Sequence, residues 1–479
     1  MTLRRRTLSA VRWTTIGAVA KALLQVAQIA ILARLLAPED YGLMAMVTVV
    51  LSLAALFSDF GVNSAFLQRR DVSEEQRSSL FWFNVLLSFG LMVLVILLSP
   101  LFALYFGDER VGPLMMLSAT TFVIAALGIQ VRLAAEKELH FGPVVVIEVV
   151  AALLGLAVAI TGALLEWGVY ALVVGSIAAA IVTSLLLWGF LAQGWRPAMR
   201  LRFVEVRSFL GFGGALVANN VVNQINLTID LLLGGRLLAA AQLGLYSIPR
   251  QLVLQVQFVV NPIITRVAFP LIAEVQHDIP RVRSIYLQIL NMTASTNAPI
   301  YVGAFFFAPE IVHLVLGEGW EQSAVLLQTL ALWGGLRSTG NPVGSLLLGM
   351  GRADLSLKWN LMMLLIVPPV VLFGSTFGPQ GLAWSLFGLS VALFIPGWFV
   401  LIHPLCKATL LETAVASLRP FLIAGIAVGV SFVLAADFDG WLLRLVIAVM
   451  VSAPLYLGLS YLMNRSWVDL MWELITQRS

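Results

Sequence analysis

The chain has 479 residues, 60% of them hydrophobic and only 11% charged, with a mean hydropathy of +0.95 and a formal net charge of +4. Soluble domains carry about 25% charged residues, so a soluble globular protein is excluded. One cysteine, Cys406, excludes an intrachain disulfide and a cysteine-cluster metal centre, and His140, His277, His313 and His403 are too far apart to suggest a ligand set.

In chain order, apolar stretches occupy 13–36, 42–67, 79–105, 113–131, 143–165, 169–191, 209–235, 243–269, 284–311, 323–350, 359–376, 380–402, 420–436 and 441–463. Most reach the ~20 residues that cross a hydrocarbon core as a helix. They predict about 14 transmembrane helices in an all-α integral membrane protein. The opening TLRRRTLSA is similar to a secretory or twin-arginine signal, but no soluble passenger follows; it reads as the flank of helix 1. The longest connection, near 192–208, is too short for a catalytic domain.

Basic residues orient these spans. With a cytoplasmic N-terminus, the inner segments hold Arg4, Arg5, Arg6, Arg12, Arg69, Arg70, Arg77, Arg132, Lys137, Arg196, Arg200, Arg202 and Arg207 in the first half. Arg281, Arg283, Arg352, Lys358, Lys407, Arg419, Arg465 and Arg478 continue the pattern. The outer segments are acidic instead: Glu39 and Asp40, Glu318 and Glu321, Asp437 and Asp439. Positive charge stays inside, so both termini are expected in the cytoplasm, and the loop arginines serve topology.

Several spans carry polar rows. Lys21, Gln25 and Gln28 share a face of helix 1; Asn219, Asn223, Asn226 and Asp230 share one of helix 7; Arg250, Gln257 and Asn261 share one of helix 8. Arg337 falls near the middle of helix 10, and Asp59 and Glu148 are the acids of helices 2 and 5. Burying such groups in lipid costs roughly 3 kcal/mol, so they are expected to face a bundle interior or a hydrated cavity. Interhelical hydrogen bonding is the alternative use of any single amide. Lys21, Arg250 and Arg337 read as buried bases. Pro249, Pro262, Pro299, Pro342, Pro368 and Pro369 interrupt spans as hinges or tolerated kinks.

The chain also repeats itself. RLLAPEDYGL at 34–43 aligns with RLLAAAQLGL at 236–245, SPLFALYFG near Pro100 with APEIVHLVLG near Pro309, and EWGVYAL near Gly168 with PQGLAWS near Gly381. Six spans per copy implies parallel repeats related by an axis along the membrane normal. The expected organisation is an N-lobe over 1–208, a C-lobe over 209–405, and two further helices with a tail over 406–479.

LLAPEDYGLMAM, SDFGVNSAFLQRRDVSEEQRSSLFWFN, IDLLLGGRLLAAAQLGLYSIPRQL and LGEGWEQSAVLLQTLAL resemble the polysaccharide-transporter family. These are Wzx-type flippases of lipid-linked oligosaccharides, related to multidrug (MATE) exporters, and the resemblance covers about residues 5–465. It implies two six-helix lobes around a central cavity plus two C-terminal helices, in the bacterial inner membrane. The implied function is export of undecaprenyl-diphosphate-linked oligosaccharide to the periplasmic leaflet, for lipopolysaccharide, exopolysaccharide or capsule. Under this reading Lys21, Gln25, Gln28, Asn219, Asn223, Arg250, Gln257 and Arg337 line the substrate cavity, since cations suit a diphosphate and amides suit sugars. Asp59, Glu148 and Asp230 are the candidate sites for coupling to a proton or sodium. The expected partners are the lipid-linked oligosaccharide and membrane lipids, with no nucleic acid, cofactor or metal. A multidrug or cation antiporter of the related branch is the alternative; it would favour a cavity dominated by acids. A polysaccharide polymerase or ligase would need an external catalytic loop and a nucleophile–base set, and the sequence offers neither.

Overall fold

The computed structural model describes residues 3–58, 61–69, 71–210 and 214–476, with no side chains described for 3–11, 208, 210, 214–219, 263, 266, 267 and 474–476. Every regular element among them is helical. Their contacts fall into two compact units, Met1–Gly244 and Leu245–Ser479.

The first unit runs α1 (Leu3–Leu32), α2 (Pro38–Ala55), α3 (Val62–Gln68), α4 (Glu74–Phe106), α5 (Val111–Lys137), α6 (Phe141–Leu164), α7 (Val169–Leu191), α8 (Phe203–Leu210), α9 (Gly214–Leu237) and the first turns of α10 (Ala240–Glu274). The stretch 42–67, expected as one span, is divided between α2 and α3, and α3 starts behind Gly61, whose φ of 77° is left-handed. Asp59 lies outside the described residues. In α4, Ser73 and Gln76 form a reciprocal N-cap, and Gly107 ends the helix at φ 73°. At 33 residues α4 is about 50 Å long, more than the hydrocarbon core needs.

Small residues set the closest approach in this unit. A Cβ on Gly155 of α6 would lie 2.7 Å from Ala179 Cβ and from the Gly175 carbonyl of α7, and one on Gly175 would lie 2.7 Å from Ala159 Cβ. Only glycine lets these backbones meet, as in other membrane helix pairs. The short helix α8 is amphipathic: Val206 and Phe209 sink fully among Val62, Phe66, Leu80 and Leu133. Its Glu205 accepts from Ser79 Oγ (2.5 Å) and Arg200 Nη2 (2.8 Å). The Ser79 hydroxyl, with Arg200 behind it, holds the Glu205 carboxyl below the usual carboxylate range.

At the other end of the unit the two copies of the repeated motif touch. A Cβ on Gly42 would sit 1.8 Å from the Ala240 carbonyl oxygen, and one on Gly244 would sit 1.7 Å from the Pro38 carbonyl oxygen. Each glycine thus meets the carbonyl four residues before the other, a reciprocal, locally two-fold contact.

The second unit continues through the remainder of α10, then α11 (Ile279–Phe306), α12 (Ala308–Val315), α13 (Glu321–Thr339), α14 (Asn341–Gly349), α15 (Ala353–Ser375), α16 (Gly378–Ala392), α17 (Phe394–Gly397), a π-helical turn Trp398–Ile402, α18 (His403–Cys406), α19 (Leu410–Ala436), α20 (Trp441–Met463) and α21 (Arg465–Thr476). The expected ninth span stops at Phe306, and α12 leaves it at 86°. The expected tenth is two helices divided at Gly340, with Pro342 in the first turn of the second. The other prolines singled out above lie inside continuous helices: Pro249 and Pro262 in α10, Pro299 in α11, Pro368 and Pro369 in α15. None of these five divides its helix.

Eight described helices are long and apolar enough to cross a membrane, or ten when each of two bent pairs counts as one span. The chain is a multi-pass membrane protein.

Candidate functional site

The charged centre of the first unit is built by α1, α5 and α6. Lys21 of α1 and Arg132 of α5 converge on Glu148 of α6: the Lys21 amine pairs with one carboxylate oxygen, and Arg132 Nη2 lies 3.1 Å from the other. Arg132 Nε also donates to Glu136 Oε1, one turn further along α5, at 2.8 Å. Glu148 is the shielded member, 13% exposed, against 45% for Lys21 and 40% for Arg132.

A cavity of about 380 Å³ opens beside this cluster. Ala125 and Gly128 of α5, Ala152 of α6, and Ala179 and Ala180 of α7 form much of its wall, and their small side chains leave the space into which the charges project. Thr183 and Ser184 add hydroxyls. Their protons are spent on the Ala179 and Ile124 carbonyls, at 2.8 and 2.7 Å, leaving lone pairs as acceptors. The arrangement offers two cations, each able to donate to phosphate or carboxylate oxygens, and one acid already resting against them.

The other expected site residues distribute unevenly. Gln25 and Gln28 follow Lys21 along α1 and are half-buried. Asn219 lies in α9 without a described side chain, Asn223 is exposed, and Asp230 is buried. In the second unit, Gln257 is buried, and its amide nitrogen donates to the Gly334 carbonyl of α13 at 3.1 Å, an interhelical tie. Of the three bases expected to be buried, only Arg250 is, at 6% exposure. Lys21 faces the cavity, and Arg337 lies exposed in the last turn of α13 with its guanidinium 5.4 Å from the Trp333 ring centre. The α13 helix ends two residues later, at Thr339, and α14 resumes at Asn341.

Arg132 is the residue that sequence reading misplaced. Hydropathy fades at 131, so Arg132 reads as a loop topology signal, yet α5 runs on to Lys137. The available signal was the spacing of Arg132 and Glu136, an i, i+4 pair that supports a continuing helix.

An all-helical, multi-pass membrane protein with a charged cavity inside one helical unit belongs, by architecture, with membrane transporters. A family model described as "Polysaccharide biosynthesis protein" matches residues 31–325, and the chain belongs to that family. It is 30% identical to the lipopolysaccharide biosynthesis protein WzxC of Escherichia coli (strain K12), over 92% of this chain and 90% of that one. It is likewise 30% identical to the teichuronic acid biosynthesis protein TuaB of Bacillus subtilis (strain 168), over 95% of each. Among solved structures, an inward closed conformation of the lipid II flippase MurJ matches with a TM-score of 0.73, covering 96% of this chain and 100% of that one. At 14% identity, that match is one of fold.

Proposed function

We propose that this chain is a flippase that carries undecaprenyl-diphosphate-linked oligosaccharide from the cytoplasmic to the periplasmic leaflet of a bacterial inner membrane for surface polysaccharide assembly. The observation that carries the reading is the Lys21–Arg132–Glu148 cluster on a cavity within the membrane-spanning unit of a polysaccharide biosynthesis family member. Glu148 occupies the donors that a diphosphate would use. An entering diphosphate takes over Lys21 and Arg132, which favours phosphate through charge-assisted hydrogen bonds. Gln25 and Gln28, further along the same helix, are placed for sugar hydroxyls. Of the three acids considered for coupling, Glu148 is the one we assign, because its displacement leaves a carboxylate that needs a proton or cation.

The reading includes fourteen spans, with an N-lobe over 1–208, a C-lobe over 209–405, two further helices, and both termini in the cytoplasm. The repeat and the charge placement support it. A multidrug antiporter would need a carboxylate open to a cationic drug, whereas Glu148 is already held by two bases.

The test pairs membrane abundance with export. Deleting the chain should trap an undecaprenyl-linked oligosaccharide in the cytoplasmic leaflet, identified by lipid extraction. Complementation with Lys21→Ala should give normal abundance, since Glu148 keeps Arg132, but lost export. Normal export by both Lys21→Ala and Arg132→Ala, or no trapped lipid in the deletion, overturns the proposal.

A further inference from the structure

A second pocket lies in the other unit, where α21 folds back against α11 and α19. We propose that it binds the phosphate group of an anionic membrane phospholipid, a role separate from transport of the oligosaccharide. The pocket measures about 320 Å³ and is lined by Ser284 and Gln288 of α11, Arg419 of α19, and Ser466 and Trp467 of α21.

Its chemistry is one of surplus donors. Arg419 Nη2 donates to the Asn464 side-chain oxygen at 2.5 Å, while Arg419 Nε is buried with no acceptor. The indole of Trp467 is 8% exposed, and its Nε1–H is likewise buried without an acceptor. The pocket's one carboxylate, Glu412, is occupied: it pairs with Arg283 and accepts from Thr409 N and Oγ1, both at 2.9 Å. No carboxylate pairs with Arg419 among the described residues. Each orphaned donor is destabilising, and a charge without a counter-charge more so. A ligand with several anionic oxygens satisfies both donors and neutralises the arginine; a neutral sugar does only the first.

The surroundings identify a lipid as the source of that phosphate. Leu411, Val415, Leu418 and Leu422 are exposed at i, i+4, i+7 and i+11, forming one apolar stripe of α19 that passes the pocket. In a multi-pass membrane protein such a stripe faces acyl chains. The helix α21 is amphipathic: Trp467 and Met471 pack toward Ile423, Ala427 and Tyr456, Arg465 and Asp469 pair 3.7 Å apart, and Trp472 is exposed. Helices of this kind lie in the headgroup layer. A phospholipid seated here puts its phosphate between Arg419 and Trp467 and its tails along the stripe.

The test is native mass spectrometry of the purified protein, released from detergent with phosphatidylglycerol, diacylglycerol or inorganic phosphate added. Wild type should retain phosphatidylglycerol about tenfold better than diacylglycerol, which has the tails but no phosphate, the value of one charge-assisted hydrogen bond. Trp467→Phe removes the donor but keeps the ring against Tyr456, and it should lose most of that preference. Arg419→Gln should do the same, with Arg419→Lys as the folded substitute if Gln destabilises. Arg465→Gln, outside the pocket, should leave the preference intact. Unchanged phosphatidylglycerol retention in both Trp467→Phe and the Arg419 variant overturns the site. Displacement of the lipid by millimolar inorganic phosphate overturns the lipid assignment.

Discussion

Replacing Gly42 by alanine adds one methyl group at the tightest backbone contact described in the protein. The new carbon would sit 1.8 Å from the Ala240 carbonyl oxygen and 3.0 Å from the Gly244 nitrogen. Both obstacles are backbone, so no rotamer change relieves them. Restoring ordinary contact needs the two helix starts to separate by about 1.5 Å. The neighbouring chain resists that movement. Tyr105 donates to the Leu232 carbonyl at 3.3 Å, and Gly235 lies so close to Phe106 that a Cβ there would be 2.7 Å from the ring. We therefore expect a loss of about 2–3 kcal/mol, the upper part of the overpacking range. Gly244→Ala meets the Pro38 carbonyl at 1.7 Å and should cost the same. The double variant should cost clearly less than the sum, since both substitutions open one contact. Gly90→Ala and Gly189→Ala serve as controls: nothing lies within 4 Å of either new carbon, and helix propensity should make them neutral or stabilising by roughly 0.5–1 kcal/mol. The assay is thermal unfolding in detergent, followed by tryptophan fluorescence, alongside membrane abundance. If Gly42→Ala melted with the controls, the close crossing of the two repeated motifs would be wrong.

Two further outcomes follow from charge and topology. In a Cys406→Ala background, cysteines at Glu39, Glu318 and Asp439 should react with an impermeant thiol reagent from the periplasm, while those at Arg70, Arg202 and Arg352 should not; labelling of Arg202 from outside would reverse the orientation. Because the folded carboxyl of Glu205 titrates below its usual 4.5, its bonds to Ser79 and Arg200 stabilise fully above that value and are lost as pH falls through the lower folded value. The melting temperature should therefore drop between about pH 5 and pH 3 by more in wild type than in Glu205→Gln, and equal drops would remove this contribution.

Much of the architecture was legible because lipid imposes a simple code. Apolar runs, basic inner segments and polar rows all report on one solvent boundary, and the family resemblance rested on motifs that sit at helix starts and turns. What escaped were features set by local geometry. Pro342 read as a kink within one span, although a proline suits the first turn of a new helix, and α14 begins there. Arg337, expected near the middle of that span, lies in the last turn of α13. The partnership of Lys21 with Glu148 was out of reach for a different reason. It depends on how closely α1 approaches α6, which Gly17 against Val145 and Gly142 against Trp13 decide by contacts that no periodicity reports. Gln257 read as a cavity amide, and only the proximity of the Gly334 carbonyl reveals it as a tie between helices.

Under the proposed function, the cluster on the first cavity also accounts for how charge is tolerated inside a membrane protein that accepts an anion. Lys21 and Arg132 are balanced by Glu136 and Glu148, so the group carries no net charge. Such balance matters because a stranded charge in a low-dielectric interior costs several kcal/mol. The two acids are not equivalent. Glu136 sits on the same helix as Arg132 and moves with it, whereas Glu148 is held from a separate helix by both bases. Withdrawal of Glu148 alone leaves one net positive charge and two donors converging on the cavity, the electrostatic form that a phosphate needs. Transport on this reading requires no large reserve of positive charge. It requires only that one carboxylate be exchangeable, and Glu148 is the one whose backbone is independent of the bases it neutralises.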